Sequence, residues 1–408
     1  MTFKVKTKGQ NEGEKLLVPK LRFKEFKDEW KTYNLKQVLE IKNGLNKEKE
    51  SFGTGTPIIN YMDVNKHTIL TSDKIKGLVK LSKKEIDNFK VNKGDIFFTR
   101  TSETSAEIGL SSSLIEDIEN CVFSGFILKA TPQKNIFNNL FSGYYFRTYK
   151  LRKEIIKHSS ITTRALTSGS LLYGMNIKIP NIDEQEKIGK TLYLLDKKIE
   201  LQQRRIEALK IYKKGLINKL LNSNESLNCK NIKLNNILIP GSKERVVDTS
   251  KFQKINIKLN LNGLSKNNSS REMADTRPFY IRNLNEIIIG KQNYFNGSIA
   301  IVTKEFDGCI CSNAIMSFSV KNDNPKYIYY YISQPNYIRK RSFLANGTGQ
   351  KELSEKEFLN FEINLPSIEK QNYIVTILDF VESKISIENL KYELLELFKK
   401  SLLQQMFI

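Results

Sequence analysis

The chain is poor in the residues from which metal and redox sites are built: its 408 residues include two histidines (His67, His158) and four cysteines (Cys121, Cys229, Cys309, Cys311). No Cys-x-x-Cys pair exists to start a zinc site, so neither a metal centre nor a disulfide framework is expected. Cys309 and Cys311 sit two apart in an alternating stretch and share a strand face, which reads as packing. The nine prolines are never adjacent, which excludes the Asx-Pro-Pro-aromatic loop that an adenine amino-methyltransferase stacks on a flipped base. Glycine is missing where a phosphate loop needs it: Gly189-Lys190-Thr191 is preceded, five positions before Gly189, by Glu184 inside a helical pattern. Gly347-Thr348-Gly349-Gln350-Lys351 lacks both the spacing and the hydroxyl. No apolar run approaches the ~20 residues of a membrane helix. The first 17 residues are polar and lysine-rich, without the apolar centre of a secretion signal, so a cytoplasmic protein is expected.

Two histidines without a recognisable acidic or nucleophilic partner give no triad. Asp379, Glu382 and Lys384 fit the acidic string of a metal-dependent nuclease, but they lie in a helical segment whose counterpart is Asp196 to Lys198, and read as helix surface. The expectation is a reader without catalytic machinery of its own, not an enzyme.

Basic charge is what the chain has in excess. Lys and Arg number 66 against 44 Asp and Glu, a net charge of +22, while hydrophobic residues at 39% are too many for a disordered tail. A polyanion is the natural partner of such a surplus, and nucleic acid stands ahead of membrane because no basic amphipathic tail or lipidation motif is present. At ~100 to 200 residues per domain, two or three domains are expected.

The chain also repeats itself. Residues 179–221 and 365–407 align without a gap at an offset of 186, with 12 of 43 positions identical, among them Pro180/Pro366, Gln185/Gln371 and Ile199/Ile385. Apolar residues in each copy step alternately by four and three, as on the seam of a coiled coil. The first seam is Ile188, Leu192, Leu195, Ile199, Ile206 and Leu209, continuing to Leu216 and Leu220; the second is Ile374, Leu378, Val381, Ile385, Tyr392 and Leu395, continuing to Leu402 and Met406. Gln202 and Lys213 interrupt the first seam where Glu388 and Lys399 interrupt the second. Each pattern starts after a proline with an acidic first turn, which suits the positive end of a helix dipole. A ~40-residue helix spans about 60 Å, and the economical partner for each is the other. Leu194, Leu201, Tyr212, Phe380, Leu390 and Phe398 widen the apolar stripe beyond a two-helix contact and leave room for other chains.

Segments with strand-like runs such as Gly94 to Thr99 and Asn285 to Gly290, separated by polar loops, precede each helix. Subtracting the +4 and −1 of the helical segments leaves +19 in the rest of the chain. The positive charge therefore belongs mostly to the two globular parts.

Two globular parts, each followed by a long helix that starts at Ile-Pro-x-Ile-x-x-Gln or Leu-Pro-x-Ile-x-x-Gln, resemble the specificity (S) subunit of type I restriction-modification enzymes. So do the opening Val18 to Phe23 with Trp30, the Gly94-Asp95-Ile96 step and Asn346 to Gln350. The resemblance spans almost the whole chain. It implies an α+β fold with two target recognition domains, joined and followed by two long antiparallel helices that form a coiled coil, in a pseudo-two-fold internal repeat. The corresponding boundaries are an N-terminal arm (1–18), a first recognition domain (19–178), a central spacer helix (179–222), a second recognition domain (223–364) and a C-terminal spacer helix (365–408).

The resemblance also implies the partners: double-stranded DNA read at two half-sites, two methyltransferase subunits binding S-adenosylmethionine, and restriction subunits using ATP and Mg²⁺, with no cofactor in this chain and no membrane. An approximate two-fold axis perpendicular to the duplex would run the helices antiparallel, and helix length would fix the gap between half-sites. DNA contacts are expected from polar and basic loop residues. In the first domain these are Arg100, Thr101, Ser102, Thr104, Ser105 and Arg164; in the second, Arg271, Lys291, Gln292, Asn293, Tyr294, Asn346, Gln350 and Lys351. Thr163-Arg164-Ala165 in the first domain, where the second has Gly349-Gln350-Lys351, is a departure between the copies. Two other readings of the residues stay open: a nuclease or methyltransferase with an unrecognised site, and a coiled-coil protein that binds DNA without sequence preference.

Overall fold

The computed structural model describes residues 3–5, 18–133, 135–161, 164–222, 229–267, 277–342 and 352–408. Contacts divide the chain into two units, residues 1–204 with 390–408, and residues 205–389. Each of the two long helices, Ile182–Asn222 and Ile368–Gln405, therefore contributes to both units.

The first unit is built on a five-stranded sheet in the order Leu39–Asn43, Ile127–Pro132, Ile96–Thr99, Ser111–Leu114, Ile69–Leu70; its last pair is parallel and the others antiparallel. The Ile-Phe-Phe run has no polar alternate because both faces of the sheet are covered. Ile96 and Phe98 join a core with Trp30, Phe141 and Tyr145, while Phe97 joins a second with Leu114, Phe123 and Ile127. Cys121 belongs to that second core, and burial pushes its thiol pKa up to about 12, so it behaves as a small apolar side chain.

The second unit repeats the plan with four antiparallel strands, Leu238–Pro240, Ile315–Val320, Ile287–Gly290 and Ile299–Ile301. Ile287 and Ile289 face a core containing Tyr294, Phe318 and Phe358, and Ile288 faces a smaller one with Ala300, Cys309 and Cys311. The four described cysteines are free.

In each unit a two-stranded ribbon leads into a long helix: Lys31–Asn34 with Asn176–Ile179, and Lys230–Lys233 with Glu362–Leu365, both antiparallel. The helix start is then pinned by a buried glutamine. Gln185 donates to Pro180 O at 3.0 Å and accepts from Asn138 N at 3.0 Å; Gln371 donates to Pro366 O at 3.0 Å and accepts from Asn324 N at 2.9 Å. Asn138 and Asn324, again 186 apart, cap the short helices Asn139–Tyr145 and Pro325–Ile332 through their side-chain oxygens. Thus the repeat extends beyond the long helices, into the element each one packs on.

The long helices pair antiparallel within each unit. In the first unit Lys399 meets Asp196 at 2.6 Å; in the second, Lys213 meets Glu382 and Arg205 meets Glu388 at 3.5 Å, so residue numbers rise on one helix as they fall on the other. Lys213 and Lys399 are repeat equivalents, as are Asp196 and Glu382, so these two polar interruptions of the seam form one ion pair made twice.

The seams are shared more widely than a two-helix contact requires. Ile188 and Leu192 are buried in one core with Trp30 and Phe141, and Ile374 and Leu378 in one core with Tyr327 and Phe358. Gly189 permits this approach, since a Cβ there would fall 2.6 Å from Phe141 N. Leu195, Ile199, Ile206, Val381 and Ile385 are buried, whereas Leu209, Tyr392 and Leu395 are half-covered. The helices pair with each other as expected, and in addition their first turns pack on the globular part that precedes them. No helix among the described residues is long and apolar enough to cross a membrane.

Candidate nucleic-acid interface

Arg100 and Lys291 each leave the end of a central strand, and their backbones occupy the same place in the two units. Arg100 N donates to Phe126 O at 2.9 Å, and its carbonyl accepts from Thr167 N at 2.9 Å; Lys291 N donates to Ala314 O at 3.1 Å, and its carbonyl accepts from Leu353 N at 2.9 Å. Thr167 and Leu353 are themselves 186 apart, so the loops before the two long helices return to equivalent positions despite their dissimilar sequences.

Around Arg100 the chain forms a small three-stranded sheet, Ser160–Ile161, Ala165–Leu166 and Thr101–Ser102. Arg100 is half-buried, with Nη1 donating to Gly125 O at 3.4 Å, and Thr101 is half-buried opposite Leu166. Thr104, Ser105 and Arg164 are exposed. Ser102 is not: it is 6% exposed, and its hydroxyl donates to Glu107 at 3.3 Å and accepts from Thr104 N at 3.1 Å, holding the turn.

In the second unit Lys291 is half-buried and Gln292 and Asn293 are exposed on the turn that follows. Tyr294 is a correction. It is 0% exposed, its hydroxyl donates to Ile332 O at 3.1 Å, and its ring lies edge-on to Phe358 with centroids 5.8 Å apart, so it is a core residue with no face for a base. Arg271, Asn346, Gln350 and Lys351 lie outside the described residues.

Two features escaped the reading of the sequence. Phe126, whose carbonyl receives the Arg100 amide, is 65% exposed; its positional counterpart is Ala314. Nothing in Ser124-Gly125-Phe126 distinguishes an outward ring from a packed one. Arg282 is only 2% exposed and lines a cavity of about 260 Å³ together with Lys291.

The acidic string considered for a nuclease is structural: Asp379 accepts from Lys326 at 2.6 Å and from Tyr330 OH at 3.2 Å. Among the described residues no group of three or more His, Cys, Asp or Glu is placed to hold a metal ion.

Comparison with known proteins places these observations in context. A family model described as the type I restriction modification DNA specificity domain matches residues 27–211 and again residues 242–397. The chain is 26% identical over 410 residues, 93% of each chain, to a protein of Methanocaldococcus jannaschii named as the MjaX type I restriction enzyme specificity subunit. It is 24% identical over 353 residues, 80% of each chain, to the MjaVIII specificity subunit of the same organism. Its fold is similar to the crystal structure of a type I restriction-modification S subunit from M. genitalium, with a TM-score of 0.58, 17% identity and coverage of 96% of this chain and 99% of that one. A chain from a study of the assembly and conformational transition of a type I R-M system gives a TM-score of 0.51 at 13% identity, covering 93% and 97%.

Proposed function

The chain belongs to the type I restriction-modification DNA specificity family, with two target recognition domains reading a bipartite site, and from that premise we propose that it is a non-catalytic subunit of a cytoplasmic methylation and restriction complex. Its two globular parts read one half-site each, and other polypeptides supply the chemistry. Two methyltransferase subunits carry S-adenosylmethionine for adenine N6 methylation. Restriction subunits carry ATP and Mg²⁺ for cleavage of unmethylated DNA.

The observation that carries this reading is the exact duplication of the lead-in to each long helix, Asn138–Gln185–Pro180 and Asn324–Gln371–Pro366, at one offset. Two like readers on one chain suit two like half-sites. Leu201, Tyr212, Phe380, Leu394, Leu397 and Phe398 are all more than half exposed along the long helices, and these are the side chains the methyltransferase subunits would cover. Of the predicted DNA contacts, Thr104, Ser105 and Arg164 in the first half and Gln292 and Asn293 in the second are exposed, and Arg100, Thr101 and Lys291 are half-buried, which supports a role in DNA contact for these loops.

Methylome sequencing of the host with and without this chain tests the proposal. Loss of one bipartite methyl-adenine motif is the expected outcome; an unchanged methylome, or DNA turnover by the purified chain alone, would overturn it.

A further inference from the structure

A buried guanidinium without a carboxylate partner is expensive unless an anion arrives to meet it. Arg282 is such a group. Its Nε donates to Cys311 Sγ at 3.0 Å, Nη1 to Ser242 O at 3.2 Å and Ile281 O at 3.3 Å, and Nη2 to Ile315 O at 3.4 Å. All the acceptors are neutral, no carboxylate among the described residues forms an ion pair with it, and one of the five guanidinium N–H groups remains unused.

Arg282 forms a wall of the 260 Å³ cavity, whose lining also includes Tyr280, Lys291, Asn313 and Ser317. Ser317 is 5% exposed and its hydroxyl is one of six buried side-chain polar atoms without a hydrogen-bond partner among the described residues, which leaves its proton available to a ligand in the cavity that it lines. Gly241 keeps the space beside that hydroxyl open, because a Cβ there would lie 1.9 Å from Ser317 Oγ. The one acid on the lining, Glu355, is taken up by Lys243 at 3.2 Å. The cavity thus presents Arg282, which lies over the Tyr280 ring at 5.4 Å, and Lys291 as cations without an ion pair among the described residues, and Ser317 as a donor.

We propose that this cavity seats one phosphodiester group of the DNA backbone at the second half-site, with Arg282 and Lys291 facing its charge and Ser317 donating a hydrogen bond to a non-bridging oxygen. The inference rests on the reading of the chain as a DNA specificity subunit. It fixes the source of the phosphate as DNA because Lys291 stands where Arg100 stands in the other reader. The one guanidinium N–H left over can make a charge-assisted hydrogen bond to a phosphate oxygen. The first unit has Val91 at the offset that relates Arg100 to Lys291, so the clamp belongs to one half-site alone.

A phosphate contact carries no sequence information, so the full chain and a random duplex suffice to test it. Lys291→Gln should lower the slope of log K against log[salt] by about one and weaken binding to all duplexes alike, with Lys291→Arg restoring the slope. Ser317→Ala, which removes one oxygen and keeps the fold, should cost roughly 10-fold in affinity. In duplexes that carry the recognised bipartite site and single neutral methylphosphonates, one position should weaken binding of the wild type by more than it weakens binding of the Lys291→Gln variant. Circular dichroism confirms that the variants are folded. Wild-type slopes in folded variants would overturn the clamp while leaving the DNA-reading function intact. A wild-type chain that binds no duplex would overturn both. Stabilisation of the wild type by inorganic phosphate, with DNA slopes unmoved in the variants, would make this an anion site unrelated to DNA and overturn the proposal as well.

Discussion

Gln185 and Gln371 are 1% and 0% exposed, and each carries bonds that nothing nearby replaces. The side-chain oxygen takes the Asn138 or Asn324 amide, which begins the short helix beneath; the nitrogen closes on the proline carbonyl before the long helix. Leucine at either site matches the volume but leaves those groups orphaned in a closed interior, at a cost of ~1 to 3 kcal/mol per group. Gln185→Leu and Gln371→Leu should each lower stability by at least that much in urea unfolding, and a loss below 0.5 kcal/mol would show the bonds to be incidental. The glutamine and its proline were legible as a motif. The asparagines were not singled out, although they stand at the same offset, because a lone Asn in a loop looks like any other turn residue. Tyr294 was misplaced for a related reason: an aromatic among polar neighbours reads as a stacking residue until the fold shows it turned inward. A second residue-scale expectation concerns Glu85, whose pKa is lowered to about 2 by the ammonium of Lys47 first and by the Ser82 amide and hydroxyl after it. The unfolded carboxyl takes up a proton near 4.5 and the folded one only near 2, so the stability that Glu85 contributes is complete above pH 4.5 and disappears as pH falls toward 2. Glu85→Gln should flatten the acid limb of the unfolding curve over that window; an unaltered limb would place the pH dependence elsewhere.

At the scale of elements, the seams show what periodicity reveals and what it hides. A step of four and three identifies which side chains are buried but not what buries them, and the first turns of both helices proved to rest on aromatic residues of the globular parts. The end of the second helix does the same in the first unit. Leu402, Met406 and Phe407 are buried in the core that holds Trp30, and the Phe407 ring meets Trp30 edge-on with centroids 6.4 Å apart. Trp30 is the one tryptophan of the chain and is 1% exposed, so its emission reports on this packing without interference. Phe407→Ala should destabilise the first unit by ~3 to 5 kcal/mol and shift tryptophan emission to longer wavelength. An unshifted spectrum in the folded variant would show that the last turn does not support this core. Sequence could not have revealed the contact, because it joins residues 377 positions apart.

For the whole molecule, the antiparallel pairing has a consequence for how the target gap is set. Lys399 with Asp196 and Lys213 with Glu382 are one ion pair repeated, so lengthening one helix alone moves its cations away from their acids and slides the apolar seam out of phase. The ion pairs are partly exposed and contribute little stability; the seam, with its buried Leu195, Ile199, Val381 and Ile385, is what resists the slip. Seven residues keep the phase of a coiled-coil seam and add about 10 Å at 1.5 Å per residue. Inserted in both helices at matched positions, between Glu200 and Lys210 and between Ser386 and Glu396, one heptad each should preserve the pairing and widen the recognised spacer by about three base pairs at 3.4 Å each, with both half-sites unchanged. A heptad in only one helix should instead destabilise the chain and abolish recognition rather than lengthen the spacer. Methylome sequencing of hosts carrying each variant separates the outcomes. A matched insertion that alters the bases of either half-site, or leaves the gap unaltered, would refute the idea that the paired helices act as a ruler. The loops proposed to read the bases stayed illegible in the sequence because such side chains would answer to DNA rather than to a core, whereas the helices, which answer to burial, declared their length and phase through the spacing of their apolar residues.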